Sequence, residues 1–317
     1  IVKLVFNQLI MQVYTNEDRR RKLRQDHSKL YTIPVLDRGK SLLADQPDKI
    51  TTKLFTHQRR ALARMQEIED GFKFTVPEIM EVIRPKGGVL CDRVGMGKTL
   101  TTLGLIASRP SNDESCKSTL VIAPKHLVAQ WQSEIQKMTT PTATPDIMSP
   151  TPNMTVSIIT EQVLAASIDE EKVTDVTEML KATYNTDIVL VELQSLLTMQ
   201  HYPDIFKYLP FYRVVIDECH DAILLSSLHT ERFSSIRAKT MWCVTGTPFP
   251  AADDSVYGIN KLLGIRIRFR LSDSPFIKAG DSLSPKHPFE CLKRMLYIRK
   301  PPLNDEERRE FGMHGVK

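Results

Sequence analysis

From residue 51 onward the chain alternates between two hydrophobic rhythms. Short continuous runs, most of them rich in β-branched residues, occur at GGVLCD (87–92), STLVIAP (118–124), VSIIT (156–160), DIVLVE (187–192), YRVVIDECH (212–220) and TMWCVTGTP (240–248). Such runs predict strands buried on both faces. Between them lie stretches with helical spacing. LFTHQRRALARMQEIEDGF carries Leu54, Ala61, Leu62 and Met65 on one face, and KTLTTLGLIAS (98–108) and KHLVAQWQSEIQKM (125–138) read as further helices. A helical stretch is also expected between the strands at 156–160 and 187–192. Strands alternating with helices imply an α/β fold, a parallel sheet with helices on both faces. In such sheets ligands bind beyond the carboxyl ends of the strands. Three polar stretches stand at those ends: Asp92–Thr99, Asp217–His220 and Thr245–Pro248.

The flanks are less regular. IVKLVFNQLIMQVY alternates loosely, and NEDRRRKLRQDHSKL carries Arg19, Arg20, Arg21, Lys22 and Arg24. That cluster fits a solvated helix face or a contact with nucleic-acid phosphates. TTPTATPDIMSPTPNM (139–154) is rich in Pro, Thr and Ser and reads as a loop. In GIRIRFRL the alternation puts Arg266, Arg268 and Arg270 opposite Ile265, Ile267 and Phe269, the pattern of an edge strand or of a phosphate-facing one.

Composition narrows the class. The 317 residues are 41% hydrophobic and 26% charged, as in globular proteins. No apolar run reaches the roughly 18 residues that would span a bilayer, so no membrane partner is expected. The sequence opens at Ile1 without a methionine or a targeting peptide, as a piece of a longer protein would. Five cysteines stand scattered, with no C-x-x-C pair and no metal spacing, which suits a reducing compartment. A net charge of +5 is compatible with a polyanionic partner.

Chemistry comes from the strand ends. Gly95 and Gly97 permit backbone conformations closed to other residues, so successive N–H groups can turn inward around phosphate oxygens. Lys98 would reach the β and γ phosphates and the Thr99 hydroxyl would ligate Mg²⁺, while the following helix aims its positive end at the same site. Gly-Lys-Thr after a strand also fits a tight turn with a surface lysine, and Asp92 stands where the usual phosphate loop has its first glycine. The acid pair tips the balance. Asp217 can hold Mg²⁺ through water and Glu218 can deprotonate the attacking water, with His220 coupling the site to other elements. Thr245 and Thr247 are placed to sense the γ-phosphate or the acids. Gln58 can pair with the donor and acceptor edge of an adenine. Lys125 and His126, at a helix start after a strand, are candidates for a nucleic-acid phosphate.

Together these residues resemble the Swi/Snf family of DNA-dependent ATPases, within helicase superfamily two. The family's D-E-M-G-L-G-K-T appears as Asp92-Arg93-Val94-Gly95-Met96-Gly97-Lys98-Thr99. LFTHQRRALARM is similar to its adenine segment, in the form seen in the subgroup of repair ubiquitin ligases and helicase-like transcription factors. TLVIAPKHLVAQWQSEI, YRVVIDECH and AKTMWCVTGTP are similar to its later motifs, in order, over residues 51–250. LYIRKPPLNDEERREF resembles the segment leading to a second motor lobe, which this chain would lack along with its arginine fingers. The resemblance implies a RecA-like first lobe over 51–300, a flank over 1–50 and the start of a linker over 301–317.

It also implies ATP and Mg²⁺ as cofactors, double-stranded DNA as track, and nucleosomes, a polymerase or a repair complex as further partners. The expected activity is ATP-driven translocation or remodelling, in the nucleus or in a viral transcription setting. Two other readings share the residues: a D-E-x-H RNA or DNA helicase, and a non-hydrolysing ATP-binding scaffold. Three departures mark a divergent member. Arg93 replaces the usual glutamate. Glu192, Leu193 and Gln194 replace Thr-Thr-Tyr, where the family makes a DNA-backbone contact. Phe249 and Pro250 replace the start of Ile-Gln-Asn.

Overall fold

A computed structural model describes residues 31–113, 116–139, 141–142, 151–152, 154–160, 186–198, 206, 209–225, 227–251, 253–267 and 283–310. The basic cluster at 19–24, the helical stretch expected within 161–185, and Arg268, Phe269 and Arg270 lie outside these residues.

Helix α1 (Thr56–Glu69) leads into a small antiparallel hairpin, β1 (Phe74–Val76) and β2 (Glu81–Ile83). Then follow β3 (Val89–Leu90), α2 (Lys98–Ser108), β4 (Thr119–Ala123) and α3 (Lys125–Met138). A two-residue ladder, β5 (Pro141–Thr142) with β6 (Thr151–Pro152), occupies part of the expected loop. Next come β7 (Val156–Ile159), β8 (Ile188–Glu192), α4 (Leu193–Thr198), β9 (Phe211–Asp217), α5 (Cys219–Leu225), α6 (Ser227–Ser234) and β10 (Ala238–Val244). The chain continues through α7 (Asp253–Leu262), α8 (Pro288–Leu296), β11 (Tyr297–Ile298) and α9 (Asp305–Glu310).

Seven strands form one sheet in the order β11-β3-β10-β9-β4-β8-β7, and every pairing is parallel. The continuous apolar runs are explained by burial on both sides. In β4, Leu120 and Ile122 enter one core while Val121 and Ala123 enter the other. The second core takes the apolar faces of α1, α2 and α3, and the first takes α5 to α8 with the hairpin. This is the parallel α/β sheet that the sequence rhythm implied, in the RecA-like form that the family resemblance implied.

Strand order fixes the site. After β3 the chain crosses to β4, moves outward to β7, and returns to fill the gap with β9 and β10. The loop after β3 therefore stands beside the end of β10 and two strands from the end of β9, about 10 Å across at the usual strand spacing. A buried ion pair fixes α1 to this sheet: Glu69 takes both Arg213 nitrogens at 2.7 and 2.6 Å and also accepts from Trp242 Nε1 and Thr240. At 265–267, where an alternating strand was expected, there is none. Ile265 is buried and Arg266 exposed, so the alternation there records a chain crossing the surface.

Candidate active site

The loop between β3 and α2 turns on two glycines. Gly95 (φ +79°) and Gly97 (φ +70°) are both left-handed, and Gly97 caps α2. A Cβ on Gly97 would stand 2.3 Å from Gln58 Nε2, so that amide would have to give way, and the left-handed backbone is strained for any other residue. At Gly95 a Cβ would meet nothing within 4 Å, and the backbone angle alone demands glycine. Lys98 and Thr99 are half-buried at the start of α2, whose first turn carries no acid to offset its positive end. An inward-turned backbone, a lysine and a bare helix end fit a polyphosphate.

Gln58 is buried beneath this loop. Its Oε1 accepts from the Phe55 N–H at 2.9 Å and its Nε2 donates to the Gly97 carbonyl at 3.4 Å, so both ends of its amide are engaged in supporting the loop. Asp92 is buried too, paired with a lysine that the sequence reading did not single out. Lys300 Nζ lies 2.8 Å from Asp92 Oδ2, and the Lys300 N–H donates to Oδ1 at 2.7 Å. Its neighbour Arg299 donates to the Cys91 carbonyl at 3.0 Å and the Gly246 carbonyl at 3.4 Å.

The acids sit at the end of β9. Asp217 is 5% exposed and accepts from the Glu218 N–H at 3.0 Å and from the indole of Trp131, on α3, at 2.8 Å. Burial pushes the Asp217 carboxyl up, against the Trp131 hydrogen bond, while the bond to His220 holds Glu218 below its usual range. Lys98 lowers both, so the loop lysine and the two acids share one electrostatic neighbourhood. Glu218 has φ +45°, a left-handed backbone on a non-glycine residue, a local strain of order 1–3 kcal/mol. Besides burial, the charge of Glu218 still raises the neighbouring Asp217 carboxyl.

His220 joins two strand ends. Its Nδ1 lies 2.8 Å from Thr245 Oγ1 and 3.2 Å from Glu218 Oε2, and its Nε2 lies 3.4 Å from Asp221. Thr245 is fully buried and accepts the Thr247 N–H at 3.1 Å, while the Thr247 side chain is exposed. The Glu218 contact raises the His220 pKa above its ordinary 6.5, against the effect of burial. A raised histidine pKa gives stability that is complete below the unfolded value and is lost as pH rises through the folded one. The melting-temperature gap between the native chain and His220→Gln is therefore expected to be widest below pH 6.5 and to shrink above it. A gap that grew with pH would show that the ring is held neutral.

The model of the SNF2-related domain matches residues 57–273, more than two-thirds of the chain and all the residues above except Phe55 and the exit segment that leaves the sheet, Arg299 and Lys300. This chain belongs to the SNF2-related domain family. An ATP-dependent helicase of Schizosaccharomyces pombe is 26% identical over 220 residues, covering 69% of this chain and 20% of the relative. The DNA repair protein RAD5 of Debaryomyces hansenii is 29% identical over 210 residues, covering 60% of this chain and 16% of the relative. The chain thus spans about a fifth or less of those relatives. Among solved structures, the Sulfolobus solfataricus SWI2/SNF2 ATPase core in complex with double-stranded DNA superposes with a TM-score of 0.56 at 17% identity. That match covers 82% of this chain and 47% of the other, and it establishes the shared fold.

Within this SNF2-related domain the divergent residues have local explanations. Phe249 fills an aromatic cluster with Tyr297 (5.1 Å between ring centroids), Phe289 (5.5 Å) and Tyr31 (5.8 Å). Arg93 is exposed on the rim of the loop. Glu192 and Gln194 lie beside the expected DNA contact. Gln194 Oε1 accepts the Lys125 N–H at 3.0 Å, capping the helix end that was expected to face a phosphate. Glu192 Oε1 stands 3.9 Å from Lys125 Nζ. Lys125 is 79% exposed, and His126 is exposed next to it. Of the groups expected to meet a phosphate here, the exposed lysine ammonium is thus left with a carboxylate beside it and the helix N–H is taken by Gln194.

Proposed function

We propose that this SNF2-related domain is the first motor lobe of an ATP-driven double-stranded-DNA translocase or remodeller that hydrolyses Mg²⁺-bound ATP. The observation that carries the reading is the convergence of the glycine loop, Lys98, the Asp217–Glu218 pair and the His220–Thr245 link at the carboxyl ends of three adjacent strands, β3, β10 and β9. Each group then has a task. Backbone N–H groups and Lys98 bind and orient the phosphates. Thr99 and Asp217 are the oxygen donors to hold Mg²⁺, which when bound neutralises phosphate charge. Glu218, kept ionised by its neighbours, takes the proton of the attacking water. His220 relays the state of Glu218 to Thr245 and hence to β10. Nucleosomes, a polymerase or a repair complex are the partners that suit such a motor, and the nucleus suits its work.

The test is duplex-stimulated ATP hydrolysis by the full natural chain, with two variants that probe the DNA contact. Lys125→Ala is expected to weaken duplex binding equally for unrelated sequences and to flatten the salt slope by about one unit, as for loss of one phosphate contact. Glu192→Gln removes the competing carboxylate, and tighter duplex binding is expected. Turnover indifferent to duplex DNA would defeat the translocase reading. An unchanged salt slope in the lysine variant would remove Lys125 from the DNA track.

A further inference from the structure

We propose that Lys300 is a positioning residue for the phosphate loop, setting the orientation of a phosphate-binding backbone N–H from beneath. The inference rests on the reading of that loop as a nucleotide site. Strand β11 pairs in parallel with β3, Tyr297 beside Val89 and Ile298 beside Leu90, and the Cys91 N–H donates to the Ile298 carbonyl at 2.9 Å. Continuing that register brings Arg299 alongside Cys91 and Lys300 alongside Asp92.

The Lys300 side chain is 0% exposed and reaches under the loop to three points. Asp92, at the loop's start, takes the Lys300 backbone N–H as well as its ammonium. The Met96 carbonyl, near the apex, accepts from Nζ at 3.1 Å, and so does Thr101 Oγ1, in the first turn of α2. Thr101 in turn donates to the Gly97 carbonyl at 3.0 Å.

The bond to Met96 has a geometric consequence. In a trans peptide the C=O and the following N–H point in opposite directions, and no cis bond occurs among the described residues. With the Met96 carbonyl drawn down onto Lys300, the Gly97 N–H is turned away from the lysine, to the side where a phosphate binds. A buried ion pair is a poor way to gain stability, since an apolar pair of similar volume is often neutral or better. A donor that holds the Met96–Gly97 peptide plane while tied to Asp92 and Thr101 is what an apolar pair cannot supply.

Lys300 also ties the loop to the chain that leaves the sheet. Pro301, Pro302 and Leu303 form one wall of a cleft of about 430 Å³ whose other wall is Arg93 and Met96. Farther on, Glu307 of α9 is held by Arg60 of α1 at 2.7 Å and by Arg38 at 2.9 Å. A displacement of the exit segment would be felt at the Met96–Gly97 peptide through Lys300.

The experiment titrates Mg²⁺-ATP, using a fluorescent ATP analogue, into the natural chain and two variants, and reads both affinity and the number of sites. In Asp92→Asn/Lys300→Met the buried charges leave together and the Asn oxygen still accepts the backbone N–H, but nothing donates to Met96. Lys300→Arg keeps the charge pair but replaces a tetrahedral ammonium with a planar fork. Both variants are expected to bind about tenfold more weakly, the scale of one misaligned hydrogen bond to a charged group, with every site still titrating. A structural role alone would lower the fraction of sites that titrate and leave their Kd unchanged, and that result overturns the proposal. So would native Kd and site number in the arginine variant. Failure of the natural chain to bind Mg²⁺-ATP would instead overturn the nucleotide-site reading.

Discussion

Lys98→Ala is expected to slow ATP turnover by the full natural chain about 10²- to 10⁴-fold, the scale set by losing one preorganised charge beside a transferring phosphoryl group. Two effects act together. The ammonium at the start of α2 no longer reaches the phosphates, and it no longer lowers the two carboxyls at the end of β9. Asp217, already pushed up by burial, then ionises less readily, and the variant's deficit should deepen as pH falls. Steady-state turnover over a range of pH checks both parts. Near-native turnover would remove the phosphate loop from the mechanism.

Glu218→Gln is expected to stop turnover, by about 10²- to 10⁴-fold for a lost general base, while leaving Mg²⁺-ATP affinity within about a factor of two or three. Asp217→Asn is expected to show the reverse emphasis, with Mg²⁺-dependent binding weakened. The two residues are adjacent, yet their surroundings differ. Asp217 is held from behind by Trp131 and the Glu218 N–H, which fix its carboxylate at the strand end. Glu218, on its left-handed backbone, turns towards His220 and Thr245 and is kept ionised there. Equilibrium binding with and without Mg²⁺, set beside single-turnover hydrolysis, separates the roles. Equal loss of binding in both variants would show that the acids act as one metal site.

Much of this was legible in the residues because it is locally encoded. A parallel strand covered on both faces is apolar at most of its positions, so Leu120–Ala123, Ile188–Val191 and Val214–Ile216 stood out as uninterrupted runs. The helices Lys98–Ser108 and Lys125–Met138 matched their sequence limits because their apolar spacing and flanking breaks are local. Chemistry at strand ends followed from the parallel sheet itself. The hairpin at 74–83 and the two-residue strand β11 escaped notice, being too short to build a period.

Only the tertiary structure decided how the site is held. Trp131 reaches Asp217 across 86 residues, Gln194 caps the helix at Lys125 across 69, and Lys300 meets Asp92 across 208. None of these pairs leaves a local trace. A lysine is buried only where a carboxylate and carbonyls wait for it, and those partners become neighbours only when β11 is laid against β3. The residues proposed to touch phosphates are named by short-range pattern, because a loop must turn within a few residues. The residues that aim them are set by strand order, which the one-dimensional pattern of side chains does not contain.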